Sequence, residues 1–305
     1  MLRSSRHIRA KIIILLLCLC PALCLGWGYR AHETIAGAAC DLVPAEARPF
    51  FQANKEYIVR HANDPDLWAQ AKRTDGSRAN PEEPPRHFID LDDLEDPPFE
   101  DIPYTYDEAA RQFGRDRLKK AGTVPYRIQD LTRRLTEAFE GKDWGRSVRL
   151  ASWLGHYVAD AHMPLHTTRN YDGKETGNDG IHKRFEVDMI DQFPEFTILA
   201  ASPAQPVRYV RNVPSFVFAF TLASYRYIPR LLQADDVARR ADPSLGERYY
   251  RELRDASAGR LAMQRMTDSA CDIASLWYTA WVNAEKPPLP DTPASQLSDD
   301  ATTRE

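Results

Sequence analysis

Apolar residues return every three to four positions over much of this 305-residue chain, while alternating runs of Val, Ile and Thr are scarce. A period near 3.6 gathers such residues on one face of a helix, whereas a half-buried strand needs a period of two. The pattern is sharpest over 247–284, where Leu253, Ala256, Leu261, Met263, Met266, Ala270, Ile273, Leu276, Trp277 and Trp281 recur on one side. It predicts an all-α, multi-helix bundle with helices over roughly 31–43, 46–62, 106–121, 125–140, 144–163, 181–193, 214–234 and 247–284. Two stretches interrupt it. Residues 64–105 hold seven prolines and the acid run Asp90, Asp92, Asp93, Glu95, Asp96, too broken for a regular helix, and residues 164–180 read as a loop through Asn170, Gly173, Gly177, Asn178 and Gly180.

The ends of the chain read differently from its middle. Residues 1–11 carry Arg3, Arg6, Arg9 and Lys11 without an acid, and residues 12–25 form an apolar run of 14. That is the layout of a secretory signal peptide, too short for a comfortable membrane span, and it competes with an uncleaved anchor. The expectation is cleavage after Gly26, a mature chain beginning at Trp27, and export to a periplasm or out of the cell. From Lys286 onward apolar periodicity is lost, which predicts a disordered tail over 286–305 behind one domain at 27–285.

Loss of residues 1–26 changes the charge and the cysteine count. The whole chain carries 40 basic and 44 acidic residues, and the mature one 36 and 44, a net of −8. A broad basic surface for nucleic acid is thereby disfavoured, although a local site is not. Cys18, Cys20 and Cys24 leave with the signal, so Cys40 and Cys271 either pair in an oxidising compartment or remain as buried thiols.

The chemistry gathers around histidines and acids. His156 and Asp160 are four residues apart, one helical turn, and so share a face from which imidazole and carboxylate can reach one cation. Pro164 should end that helix and let His166 turn back toward the same region. His182 and Glu186 repeat the spacing directly after the glycine-rich loop. Such a pair is often only a solvated ion pair. His156, however, lies in the apolar run Trp153-Leu154-Gly155-His156-Tyr157-Val158 and needs a strong partner if buried.

Taken together these residues resemble the superfamily that joins bacterial zinc-dependent phospholipases C with fungal single-strand-specific nucleases, over most of residues 27–285. The resemblance implies three zinc ions per chain. The first would be held by Trp27, through its α-amine and carbonyl, with His32 and Asp160; the second by Asp66, His87, His156 and the bridging Asp160; the third by His166, His182 and Glu186. In Asn63-Asp64-Pro65-Asp66 two aspartates compete for one role, and Asp66 is preferred with Asp64 as its alternative. His61 is expected at the surface or as a cap.

The same resemblance implies a hydrolase of phosphate esters in which a zinc-activated hydroxide attacks a phosphodiester in line. Asp66 and Asp160 would be the catalytic carboxylates, Asp66 accepting the proton of the attacking water, with Phe88 and Asp90 as substrate contacts. Two substrates remain open. Glu186 as last ligand and Pro65-Asp66 look like the phospholipase C branch, the leading expectation, with a phospholipid headgroup as substrate and transient contact with a membrane surface. The step from Trp27 to His32, the segment His162-Met-Pro-Leu-His166 and Tyr171-Asp172-Gly173 look nuclease-like and point to single-stranded nucleic acid. Ala69 stands where that branch carries a phosphate-holding arginine, and Lys72 or Arg73 are the available substitutes. Phe99, Tyr104, Tyr106 and Trp68 either line a rim or pack. A non-catalytic, zinc-stabilised helical binding protein is the third reading, and no stable protein partner is expected.

Overall fold

The computed structural model describes residues 27–199 and 205–294; residues 1–26, expected as a signal peptide, residues 200–204 and the end of the tail, 295–305, lie outside the described residues. The bundle is built around the helix Trp144–His162, in which every residue but Trp144, Arg146 and Arg149 is buried. A helix apolar on all sides belongs at the centre of a core. Its start is fixed by Asp143, whose carboxylate accepts the Arg146 amide at 3.0 Å. Around it pack Tyr29–Leu42, Lys55–Arg60, Val124–Glu140 and Gly259–Asn283. The Trp277 ring stacks on Phe51 with centroids 4.7 Å apart, and its indole donates to the Ala151 carbonyl, which locks the last helix to the central one. Among the described residues the only extended pairings are isolated bridges, Lys72 with Arg78 and Ile89 with Gly122.

The elements are all-helical as expected, but four of the long spans are broken. The span 46–62 divides at Asn54 into Arg48–Ala53 and Lys55–Arg60, and 106–121 divides at Gly114, whose φ of +80° is open to glycine. The span 214–234 becomes Val213–Tyr225 and Ile228–Ala241, the second opened by Pro229 in its first turn. The 247–284 helix is two, Glu247–Leu253 and Gly259–Asn283, joined through a wide turn in which Ser257 takes φ +101°. A Cβ at Gly259 would lie 2.9 Å from the Arg254 carbonyl, so the turn requires glycine there. Periodicity does not reveal this break because apolar residues recur at helical spacing in both pieces.

The proline-rich span 64–105 is less irregular than its composition suggests. It holds the helix Asp64–Gln70, with Pro65 in its first turn, a 3₁₀ turn at Pro84–Arg86 and the short helix Leu91–Leu94. The beginning of the tail, 286–294, has no helix, yet it is docked: Pro287 accepts the Trp281 indole at 2.9 Å and the Ala294 amide donates to Asn54 Oδ1 at 2.8 Å. Cys40 and Cys271 are both free and buried, not paired, and burial pushes each thiol up to about 12. No helix among the described residues is long and apolar enough to cross a membrane.

Candidate metal centre

Five segments of chain converge at the C-terminal half of the central helix. His156 and Asp160 project from it one turn apart, and His32 comes from Tyr29–Leu42. Asp66 comes from the first turn of Asp64–Gln70, and His87 follows the Pro84–Arg86 turn. His166 sits in the turn Pro164–Thr167 that follows the helix end, while His182 and Glu186 lie on the segment running on from Ile181, which widens to π geometry at 184–188. All eight side chains are buried.

The segment around His87 is clamped from three sides. The Ile89 amide donates to the His166 carbonyl at 2.8 Å, the Val124 amide to Phe88 at 3.1 Å and the Asp90 amide to Ala121 at 2.6 Å. Gly122 makes the last approach possible, since a Cβ there would lie 2.2 Å from the Phe88 carbonyl oxygen.

Within this frame the donor atoms form three groups, His32 with His156 and Asp160, Asp66 with His87 and His156, and His166 with His182 and Glu186; the atoms of each lie within 4.8 Å of one another. Asp160 divides its two oxygens between neighbours. Oδ1 is 3.5 Å from His32 Nε2 and 3.6 Å from His166 Nδ1, whereas Oδ2 is 2.9 Å from His87 Nδ1 and 3.2 Å from His156 Nε2. His156 donates through Nδ1 to the Ala62 carbonyl at 2.8 Å, which orients the ring and leaves Nε2 as its donor atom toward the centre. His182 Nε2 meets Glu186 Oε2 at 3.0 Å and His166 Nε2 at 3.1 Å.

These atoms are poorly served by one another. Both ring nitrogens of His32, and Oδ1 of both Asp66 and Asp160, are buried without a hydrogen bond. Each such group costs about 1–3 kcal/mol if unpaired. Two imidazole nitrogens at 3.1 Å can share at most one proton. Divalent cations would satisfy these atoms together, and imidazole with carboxylate is the donor set that zinc takes. The residues present therefore fit the metal.

Burial and crowding set the charge of the cluster. Burial, with His156 nearby, holds His32 down at about 4, and burial holds His166 at about 3, so both rings are neutral donors. Burial also acts on His156, but Asp160 and Asp66 overcome it and raise that ring to about 9. Glu186 is pushed up to about 7 by burial against the pull of His182. Burial, with Asp160, Glu186 and Glu83 adding repulsion, raises Asp66 well above the usual carboxylate range, whereas contacts with His156, His32 and His87 outweigh burial at Asp160 and hold it well below.

The structure brings together all eight side chains expected as ligands and places Trp27 beside them. Trp27 is fully buried, and Gly28 donates its amide to the Glu186 carbonyl at 3.3 Å. Asp66, not Asp64, faces the centre; Asp64 bonds His61 Nδ1 at 2.9 Å. His61 is buried, not at the surface, and takes the capping alternative: it is the C-cap residue of Lys55–Arg60 and stacks on Tyr57. His162 lies outside the cluster, bonded to Asp272 at 3.0 Å and stacked on Phe220. Arg73 binds the carbonyls of Arg78 and Ala79 and so ties its own loop instead of facing the centre.

Phe88 and Asp90 are half-buried on the clamped segment, and burial with Asp92 and Asp93 raises Asp90 to about 7. Trp68, Phe99, Tyr104 and Tyr106 pack against Trp153, Tyr225, Phe218 and Tyr126 respectively, although Tyr104 and Tyr106 remain partly exposed. Tyr171 is exposed and sets its ring edge-on to His182, with centroids 5.6 Å apart.

Two features escaped the sequence reading. One is buried Glu83, four residues before His87, a local spacing that could have revealed it. The other is a buried network in which Arg184 bonds Asp235 at 2.9 Å and Tyr249 at 2.8 Å while Asn178 also reaches Asp235 at 2.8 Å. It ties the loop before His182 to Ile228–Ala241 and Glu247–Leu253, and its partners are too far apart in sequence to give a local signal.

Fold and donor set together define an all-helical protein with a candidate metal centre in the C-terminal half of a buried helix. A family model described as S1/P1 Nuclease matches residues 27–189, more than half of the chain and every donor residue named above, so the protein belongs to the S1/P1 nuclease family. Comparison with curated proteins finds no match. Among solved structures the chain is similar to the alpha-toxin of Clostridium perfringens from avian strain SWCP, with a TM-score of 0.51 at 12% identity over 86% of this chain and 65% of the toxin. At that identity the likeness concerns the fold.

Proposed function

We propose that this protein is an exported phosphodiesterase with three zinc ions that cleaves single-stranded nucleic acid. The observation that carries the reading is the nuclease-family match across the whole donor set. It reverses the order in which the sequence motifs alone rank the two substrates. Trp27, His32 and Asp160 would hold one ion, Asp66, His87, His156 and Asp160 the second, and His166, His182 and Glu186 the third. Bound zinc would supply Lewis acidity toward phosphate oxygens and toward the attacking water.

The remaining work falls to side chains. Asp160 would offer its two oxygens to two of the sites, and Asp66, buried beside His87 and His156, would accept the proton of the attacking water. Phe88 would offer a ring face to a base beside the scissile phosphate, with Asp90 as the second substrate contact.

A second reading, a phospholipid headgroup with transient membrane contact, is favoured by Glu186 as last ligand and by Pro65-Asp66. Parallel assays on single-stranded DNA and on phosphatidylcholine vesicles separate the two. Turnover of DNA in wide preference supports the proposal; preference for the lipid replaces it with the second reading. Loss of all activity on bis(p-nitrophenyl) phosphate after zinc removal, and its return with zinc, is expected in either case, and turnover of no diester at all would leave only a zinc-stabilised binding role.

A further inference from the structure

We infer that Glu83 is a positioning residue for the zinc-ligating face of His87, acting from behind the imidazole ring. The inference rests on the zinc reading above. Glu83 is 1% exposed and stands four residues before His87 across the Pro84–Arg86 turn. Its Oε1 receives the Tyr157 hydroxyl and lies 3.8 Å from His87 Nε2. Its Oε2 receives Arg86 at 2.9 Å and Asn80 at 3.2 Å. The carboxylate is therefore held on three sides, with its remaining direction toward the ring.

The other nitrogen of His87 shows why this matters. Nδ1 faces Asp160 Oδ2 at 2.9 Å, His156 Nε2 at 3.1 Å and Asp66 Oδ1 at 3.5 Å, so Nδ1 is the atom turned toward the metal site. For Nδ1 to offer a lone pair, the ring hydrogen must reside on Nε2. Nε2 is buried without a hydrogen bond. At 3.8 Å Glu83 acts on it as a charge, and a shift of about 1 Å would turn the contact into an N–H···O bond. Tyr157 follows His156 directly on the central helix, so its hydroxyl fixes Glu83 relative to the same helix that presents His156 and Asp160. A carboxylate behind an imidazole sets its tautomer, its orientation and its basicity toward a metal. Pinning the 80–87 loop through Arg86 and Asn80 would need no contact with His87 at all, and that difference is testable.

The test uses the processed, zinc-loaded protein and its Glu83→Gln and Glu83→Leu variants, titrated with EDTA while released zinc is counted. Glu83→Gln keeps the shape and much of the bonding to Tyr157 and Arg86 but removes the charge. One ion per chain should leave at about 10-fold lower chelator concentration in Glu83→Gln and up to about 100-fold lower in Glu83→Leu, with the other ions unmoved. Once zinc has been removed, imidazole ¹⁵N spectra should show His87 losing its Nε2–H tautomer in Glu83→Leu while the unmodified protein keeps it. If both variants release every ion at the unmodified concentration and keep the His87 tautomer, even with a lowered melting temperature, Glu83 is structural and the inference is overturned. An unmodified protein that binds no zinc would instead remove the metal reading itself, and this inference with it.

Discussion

The Trp27 indole donates to the carbonyl of Ala159 across 2.9 Å, one residue before Asp160. On its other side the Gly28 amide is bonded to Glu186, and a Cβ at Gly28 would come within 3.2 Å of the Glu186 carbonyl. The backbone of Trp27 is thereby fixed between the segments that carry the first and third donor groups. An α-amine generated there would sit on backbone already held beside the donor groups, and one more residue in front would convert it to an amide. A protein beginning at Trp27 should bind one zinc more than a protein carrying an extra N-terminal alanine, and should be at least about tenfold more active. Elemental analysis and N-terminal sequencing of both forms check this; equal zinc content would remove Trp27 from the site.

The two aspartates flanking Pro65 should behave in opposite ways. Asp66→Asn removes a donor from the second group, so zinc content and turnover should both fall. Asp64→Asn weakens only the contact with His61, worth about 1 kcal/mol, and should leave zinc content unchanged. Zinc loss in the Asp64 variant with retention in the Asp66 variant would reverse the assignment.

Asp90 predicts a particular dependence of stability on pH. Its folded value, about 7, lies above the ordinary 3.8, because of burial and then of Asp92 and Asp93. Between those values the folded state holds a proton that the unfolded state has lost, so the group costs stability increasingly as pH rises toward 7 and its full amount above. For a half-buried carboxyl that amount is on the order of 2 kcal/mol after allowance for solvent screening. Asp90→Asn should therefore be more stable than the unmodified protein at pH 8, with the difference vanishing near pH 4, as measured by urea unfolding across that range.

Two donor pairs, His156 with Asp160 and His182 with Glu186, were legible in the sequence because residues four apart on a helix leave a local trace, whereas Trp27, His32, Asp66 and His87 were expected only from the family resemblance. The helix Asp64–Gln70 left none, since Pro65 and two aspartates in a first turn look like a loop until the N-terminal preference of both residue types is weighed. The breaks at Gly114 and Ser257 were hidden because apolar residues recur at helical spacing on both sides of each. Contacts such as Tyr157 with Glu83, or Arg184 with Asp235, join residues more than fifty positions apart, and only the fold brings them together.

The Arg184 and Asp235 pair carries its own expectation. Both are buried, and Tyr249 and Asn178 complete the bonding of Asp235. Removing one partner strands the other charge, which costs about 3–5 kcal/mol. Asp235→Ala should lower the melting temperature by roughly 10 °C. Because the network ties the loop before His182, the third zinc should also be the first lost on heating. A melting temperature within about 2 °C of the unmodified value would show that the pair contributes little.

Phe88 separates stacking from packing. It follows the ligand His87 directly, and the clamp of Ile89, Asp90 and Val124 fixes its backbone while leaving the side chain half-buried. If its ring stacks on a base, Phe88→Ala removes about 1–3 kcal/mol of binding, or roughly 5- to 150-fold in KM for single-stranded DNA. An abasic oligonucleotide has no base to stack. Its turnover should then change by less than about threefold, since the zinc ligands are untouched. If Phe88 is instead a core residue beside a ligand, the substitution loosens His87 and both substrates lose kcat together, with a fall in melting temperature. The ratio of the two activities in one variant thus decides whether the ring serves the substrate or the fold.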